Sequence, residues 1–200
     1  AILEAVLVVL FLVIAVYAFT GEKFRLENQV LAEAEEQFGP GARQRLLSWE
    51  KLIREDSSNT DLEKLRKVNE FLNRFEFVSD DLHWNVEDYW ATPVEFLASD
   101  GGDCEDFSLA KYFTLKAMGI PERKLNLTYV KALNLDQAHM VLTYFTRPGA
   151  EPLVLDNLVG EIRPASERPD LLPVYSFNGS GLWIAKQRGR GQLVGQSDRL

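Results

Sequence analysis

Cysteine is almost missing from this chain. Cys104 is the only one in 200 residues, which excludes an internal disulfide and a cysteine-rich zinc site. Histidine is scarce too: His83 and His139 are the only two, too few for a conventional imidazole-based metal centre. Positive charge falls short of negative, 22 Lys and Arg against 30 Asp and Glu, for a net charge of −8. Nucleic-acid binding wants a basic face to meet phosphates. Basic clusters such as "KQRGRG" near the C-terminus are too short to provide one, so nucleic acid is excluded as a partner. No internal repeat and no low-complexity tract is present. What remains is ordinary globular composition, 46% apolar and 26% charged, enough for one domain with a real core plus an appendage.

The appendage is the first twenty residues, "AILEAVLVVLFLVIAVYAFT", whose single charge is Glu4. A spanning helix needs about 20 apolar residues and a signal-peptide core about 7–15; this run lies between them. It carries no initiating Met and no basic leader, so the natural N-terminus is expected upstream, and Val16-Tyr17-Ala18 offers a small-residue cleavage site. A buried core helix is the alternative, and the lack of any polar face argues against it. Residues 1–20 are therefore expected to be a signal peptide, or a membrane anchor if retained.

Three helical patterns follow: 26–38, stopped by Gly39-Pro40; 42–55, with Leu46, Leu47, Trp49 and Ile53 near one face; and one opened by the capping-box spacing Thr60 to Glu63, with Leu62, Leu65, Val68, Asn69 and Leu72 down one side. An aromatic connector, "HWNVEDYWATPVEFL", leads to a further helix from Cys104 that ends before Met118-Gly119-Ile120-Pro121. Beyond Pro121 the period changes to two. "KLNLTYVKAL", "AHMVLTYF" and "PLVLDNL" read as strands, the last two joined by a hairpin loop at Arg147-Pro148-Gly149-Ala150, and "PVYSFNG" and "GLWIA" as a final pair. Helices first and antiparallel strands second make an α+β fold. The folded domain is expected over 24–185, with a flexible tail over 186–200.

The chemistry concentrates in "SDGGDCEDFSLAKYF", where Cys104 opens a helix. A helix N-terminus supplies about half a positive charge and free N–H groups, which stabilise a thiolate and can hold an oxyanion. A lone cysteine is often only a small buried hydrophobe, but its neighbours here are Asp103 and Glu105, which fits a nucleophile better. Its base would be His139, at the start of a strand. With the hairpin turn centred between Pro148 and Gly149, His139 faces Leu158 and Asp156 is its diagonal neighbour on the same face, at about 7–8 Å between backbones. A Cys–His–Asp line results. The second oxyanion donor is not fixed, with Trp84 and Trp90 as aromatic candidates in the connector.

The carboxylates around the thiol oppose its ionisation. Helix capping by Asp103 and Asp106 accounts for one or two of them. A cluster of hard oxygen ligands also suits a cation such as calcium, which would cancel the local field and pin the loop.

"DYWATPVEFLASDGGDCEDFSLAKYFTLKAMGIP", "LTYVKALNLDQAHMVLTYF" and "PLVLDNLVGEIRPASERPDLLPVYSFNGSGLW" resemble the bacterial transglutaminase-like cysteine proteinases, and among them the periplasmic type. The likeness runs from about Phe24 to Trp183, on the specific motifs Gly-Asp-Cys-Glu-Asp, Gln-Ala-His and Leu-Asp-Asn. It implies a papain-like, transglutaminase-like core with the nucleophile atop a central helix. Cys104 falls on the family's nucleophile, His139 on its general base and Asp156 on the residue that orients the base. Calcium would be held by Asp103, Glu105 and Asp106. The resemblance further implies a periplasmic endopeptidase that clips the N-terminal region of a large surface adhesin beside paired alanines and disperses biofilm. An inner-membrane receptor for cyclic di-GMP would sequester it.

Three rivals share these residues: a transglutaminase or acyltransferase with an amine as acceptor, a calcium-dependent binding module without catalysis, and a redox-sensing thiol, which the missing resolving cysteine disfavours.

Overall fold

The structure, a computed structural model, describes residues 24–56, 59–184 and 191–196. The signal or anchor expected over residues 1–20 lies outside the described residues. Among the described residues no helix is long and apolar enough to cross a membrane.

Helix α1 (Asn28–Phe38) ends at Gly39, whose φ of 83° is open to glycine, and α2 (Pro40–Asp56) starts at once because proline is tolerated in a first turn. Leu46, Trp49 and Ile53 are buried at i, i+3 and i+7, whereas Leu47, expected beside them, points to solvent. Helix α3 (Asp61–Leu72) carries the expected capping box, Glu63 N–H donating to Thr60 Oγ1 and Thr60 N–H to Glu63 Oε2 at 2.9 Å. Its buried stripe is Leu65, Val68, Asn69 and Leu72, while Leu62 is exposed.

A short parallel pair, β1 (Glu76–Phe77) and β2 (Gly101–Gly102), brackets the connector with its turn of helix α4 (Asp80–His83) and α5 (Pro93–Ser99). The second helix is capped by a Thr92–Glu95 box with Pro93 in its first turn. Helix α6 (Cys104–Ala117) runs through the molecule and stops at Gly119, φ 86°.

All the remaining strands form one antiparallel sheet: β3 (Leu125–Ala132), β4 (Gln137–Tyr144), β5 (Leu153–Leu155), β6 (Arg163–Pro164), β7 (Leu171–Asn178), β8 (Gly181–Ile184) and β9 (Gln192–Gln196), in the order β6-β5-β4-β3-β7-β8-β9. One sheet face, with Leu125, Leu127, Met140 and Leu142, closes the main core against α6 and the other helices. The other carries a small cluster, Val130, Val141 and Val154, beside a cavity of about 440 Å³. Within the segment expected as a flexible tail, β9 pairs along β8. "QLVGQ" alternates weakly and contains glycine, so its sequence signals no strand. It is recruited by the unpaired backbone of an edge.

Helix α6 buries Asp106, Ser108, Lys111 and Thr114 as well as its apolar residues. Lys111 is 1% exposed, its Nζ 5.8 Å from the Phe107 ring centroid, and burial pulls its ammonium down to about 7 against the attraction of Asp156. The unfolded value is about 10.4, so the folded state holds the proton less tightly. The penalty is full below about pH 7 and fades as pH rises towards about 10. Lys111→Met is therefore expected to raise the melting temperature by several degrees near neutral pH and by progressively less towards the alkaline end, as thermal denaturation across that range would read.

Candidate active site

Cys104 is the first residue of α6, with Asp103 as its N-cap. The approach to it demands glycine twice: a Cβ on Gly101 would strike the Glu76 carbonyl, and one on Gly102 the Asp106 carboxylate. Asp106 is wholly buried and joins loop to helix, its Oδ1 accepting the Ala91 N–H at 2.7 Å and its Oδ2 the Asp103 N–H at 3.3 Å. On the sheet side, Ser108 donates to the Met140 carbonyl at 3.1 Å, and the Met140 N–H meets the Cys104 sulfur. The first two turns of α6 are thus docked on the residue that follows His139.

His139 and Asp156 meet as expected and more closely. The β4–β5 register, Leu142 opposite Leu155 and Tyr144 opposite Leu153, is the one a turn at Pro148-Gly149 dictates. Ala150 N–H closes that turn on the Arg147 carbonyl at 3.1 Å. Strand β5 ends at Leu155, and Asp156, released from the ladder, reaches the imidazole directly: His139 Nε2 to Asp156 Oδ1 is 2.8 Å, with the two residues 3% and 1% exposed. Oδ1 also accepts the Leu158 N–H at 3.0 Å, and Oδ2 accepts Arg168 Nη2 at 2.7 Å. Burial opposes ionisation of Asp156, but the hydrogen bond and charge of His139, with Leu158 and Arg168, win and hold its carboxyl at about 2. With Nε2 committed to Asp156, Nδ1 is the ring nitrogen left to take a proton.

The thiol does not yet share its proton with that nitrogen. Its hydrogen is directed at Glu105 Oε2, 3.1 Å away. Burial, then the Glu105 charge and hydrogen bond, then Asp103, push the thiol well above its ordinary range. The same crowding raises Asp103 to about 9 and Asp106 to about 7, in each case through burial first. Protein groups alone therefore keep Cys104 protonated.

The acidic group is larger than its sequence neighbourhood. Carboxylate oxygens of Asp80, Asp103 and Asp106 lie within 4.8 Å of one another, as do those of Asp80, Asp88 and Glu105. Asp80 is 3% exposed, and its Oδ1 and the Asp103 Oδ1 are buried with no hydrogen-bond partner. Clustered carboxylates that are forced towards protonation, two of them with an orphaned buried oxygen, fit a hard cation that takes six to eight oxygens. Asp103, Glu105 and Asp106 were expected. Asp80 and Asp88 were not, and the only signal was the acidic spacing within "SDDLHWNVED". Arg168, in the loop before β7, was missed as well. Of the two tryptophans, Trp90 gives its indole N–H to Asp88 at 3.2 Å, and Trp84 packs against Phe38, His83 and Tyr89.

A family model for bacterial transglutaminase-like cysteine proteinases matches residues 48–185. Among solved structures the chain is similar to Legionella pneumophila LapG, with 46% identity over 79% of this chain and 87% of that one and a TM-score of 0.71. It is also similar to the calcium-bound form of that protein, with 43% identity over 88% and 94% and a TM-score of 0.73. The EGTA-treated form matches at 44% identity over 81% and 88%, with a TM-score of 0.71. No curated protein matches. The architecture is a transglutaminase-like fold.

The folded pKa of Asp156 lies below its unfolded value of about 3.9, so its stabilisation is present above about pH 4 and is lost as pH falls towards about 2. Asp156→Asn is expected to cost on the order of 2 kcal/mol near neutrality. Urea unfolding should show the gap between the two proteins narrowing through that acid window.

Proposed function

The chain belongs to the bacterial transglutaminase-like cysteine proteinases, and on that premise we propose that it is a calcium-dependent endopeptidase in which Cys104, His139 and Asp156 are the catalytic residues. The observation that carries the reading is the 2.8 Å His139–Asp156 pair set one residue from the backbone on which the Cys104 thiol rests. Asp156 fixes the imidazole with Nε2 occupied, and Nδ1 withdraws the thiol proton. The thiolate attacks the peptide carbonyl, and the Cys104 backbone N–H at the start of α6 helps to hold the oxyanion. The imidazolium then protonates the leaving amine, and water, deprotonated by the same nitrogen, hydrolyses the thioester. Carboxylates of Asp80, Asp88, Asp103, Glu105 and Asp106 would hold calcium, and it would supply positive charge where they otherwise oppose the thiolate.

The substrate we propose is the N-terminal region of a large surface adhesin, cut beside paired alanines with release of biofilm. The setting is the periplasm, reached through residues 1–20 as signal or anchor, with an inner-membrane cyclic di-GMP receptor as the sequestering partner. The likeness quoted above and the uncharged run Ala5–Phe19 support that reading.

The test is cleavage of a recombinant adhesin N-terminal fragment by the soluble domain. EGTA is expected to abolish cleavage and added calcium to restore it, while Cys104→Ala falls by about 10⁴-fold or more. Asp80→Asn is expected to raise the calcium concentration for half-maximal activity about tenfold or more. Cleavage indifferent to EGTA would reduce the acidic cluster to helix caps. Incorporation of a labelled amine in place of water would transfer the site to the acyltransferases.

A further inference from the structure

Asp156 divides its hydrogen bonds between its two oxygens. Oδ1 serves His139 and the Leu158 N–H, while Oδ2 serves Arg168 Nη2 at 2.7 Å. Arg168 is 3% exposed and is gripped from its other side by Asp170, whose oxygens accept from Nε at 2.9 Å and from Nη2 at 2.7 Å. Its backbone is pinned as well: Arg168 N–H donates to the Ala165 carbonyl and Leu171 N–H to the Arg168 carbonyl, both at 3.1 Å, and Leu133 N–H to the Asp170 carbonyl at 2.8 Å. Taking a guanidinium this far out of water costs several kcal/mol before pairing. Packing does not explain it, because Arg168 borders the cavity beside Val130, Val141 and Val154, where an apolar side chain would serve, and its Nη1 is buried without a partner.

We propose that Arg168 is a positioning residue for the hydrolytic reaction, acting through Asp156 to fix which carboxylate oxygen meets His139 and to weaken that carboxylate's hold on the imidazole proton. The proposal rests on the reading of Cys104, His139 and Asp156 as the catalytic residues. A carboxylate clamped at Oδ2 cannot rotate about its Cβ–Cγ bond, so Oδ1 keeps His139 Nε2 occupied and Nδ1 stays the reactive nitrogen. A carboxylate already paired with a guanidinium also exerts a weaker field on its other neighbour. The charged groups that face the pair are Arg168 and Asp170 from the loop before β7 and Lys111 from α6; the cap of α3 contributes the neutral Asn73, which donates to the Asp156 carbonyl at 2.8 Å. Without Arg168, Asp156 faces the imidazole with less to offset its charge, and the imidazolium is favoured.

The experiment compares Arg168→Gln, Asp156→Asn, the double variant and Asp170→Asn in the calcium-loaded domain. Asp170 is partly exposed, so its variant tests the clamp if Arg168→Gln does not fold. Arg168→Gln is expected to lower kcat about 10- to 100-fold with KM within about twofold, Asp170→Asn to lower kcat less and in the same sense, and the double variant to match Asp156→Asn alone. In a Cys104→Ala background, the His139 ring pKa followed by NMR is expected to rise by about one unit on Arg168→Gln. Losses that add in the double variant, or a His139 pKa unmoved in folded Arg168→Gln and Asp170→Asn, would overturn the proposal. Absence of cleavage by the unaltered domain would instead strike the hydrolytic reading, and the NMR comparison would still decide whether Arg168 governs the imidazole.

Discussion

Negative charge crowded against the first turn of α6 is the condition around which this structure is organised. Asp103, Glu105 and Asp106 come from the helix start, and Asp80 and Asp88 are brought to them by the connector. Such groups repel one another and drift apart unless held, and the holding devices account for otherwise odd local features. The two-residue strands β1 and β2 are too short to matter as a sheet, yet they bring Gly101 and Gly102 so close to Glu76 and Asp106 that no side chain fits. Backbone N–H groups of Ala91 and Tyr89 tie down Asp106 and Asp80, at 2.7 and 2.6 Å. The aromatic connector is held both by these backbone bonds and by Trp84 packed against Phe38, His83 and Tyr89.

The sheet side of the site is built on the opposite electrostatic plan. Asp156 is surrounded by donors, from His139, the Leu158 backbone and Arg168, and stays ionised despite burial. Asp103 and Asp106, buried among like charges, are driven the other way. Residue type is the same in all three; the neighbours decide the protonation state. The two halves touch through main chain and small polar groups, Ser108 and Cys104 on α6 against the Met140 backbone of β4, so their alignment does not depend on long side chains.

What could be read from the sequence follows from how local each signal is. The capping box at Thr60, the stop at Gly39-Pro40 and the glycine past α6 are statements about adjacent residues, and each stands in the structure. The His139–Asp156 pairing is longer in range, but one turn, Pro148-Gly149, sets the register for both strands, and a period of two does the rest. Three-dimensional contributions escaped: Asp80 and Asp88 join the acidic cluster only because Asp106 anchors the connector, and Arg168 reaches Asp156 from a loop without periodicity. Strand β9 escaped for another reason, since an edge can recruit a segment whose own pattern is weak. Leu47 and Leu62 show the cost of reading a helical stripe too generously, as one position off the stripe already faces water.

Charge balance across the site indicates which step the protein groups leave unfinished. In the proposed reaction, proton transfer from Cys104 to His139 places a negative charge beside Glu105 and Asp103 and a positive charge beside Asp156. The second move is prepared, because Asp156 is ionised and its charge is only partly offset by Arg168. The first is opposed, because the thiol lies against carboxylates and within a buried setting. The half charge of one helix N-terminus does not offset burial together with the Glu105 carboxylate against the thiol. The imbalance therefore sits at the cysteine end, where the carboxylates of Asp80 and Asp103 cluster and each leaves one buried oxygen without a partner. A cation taken up there would favour ionisation of the nucleophile from the carboxylate side, apart from the His139–Asp156–Arg168 hydrogen bonds on the sheet side.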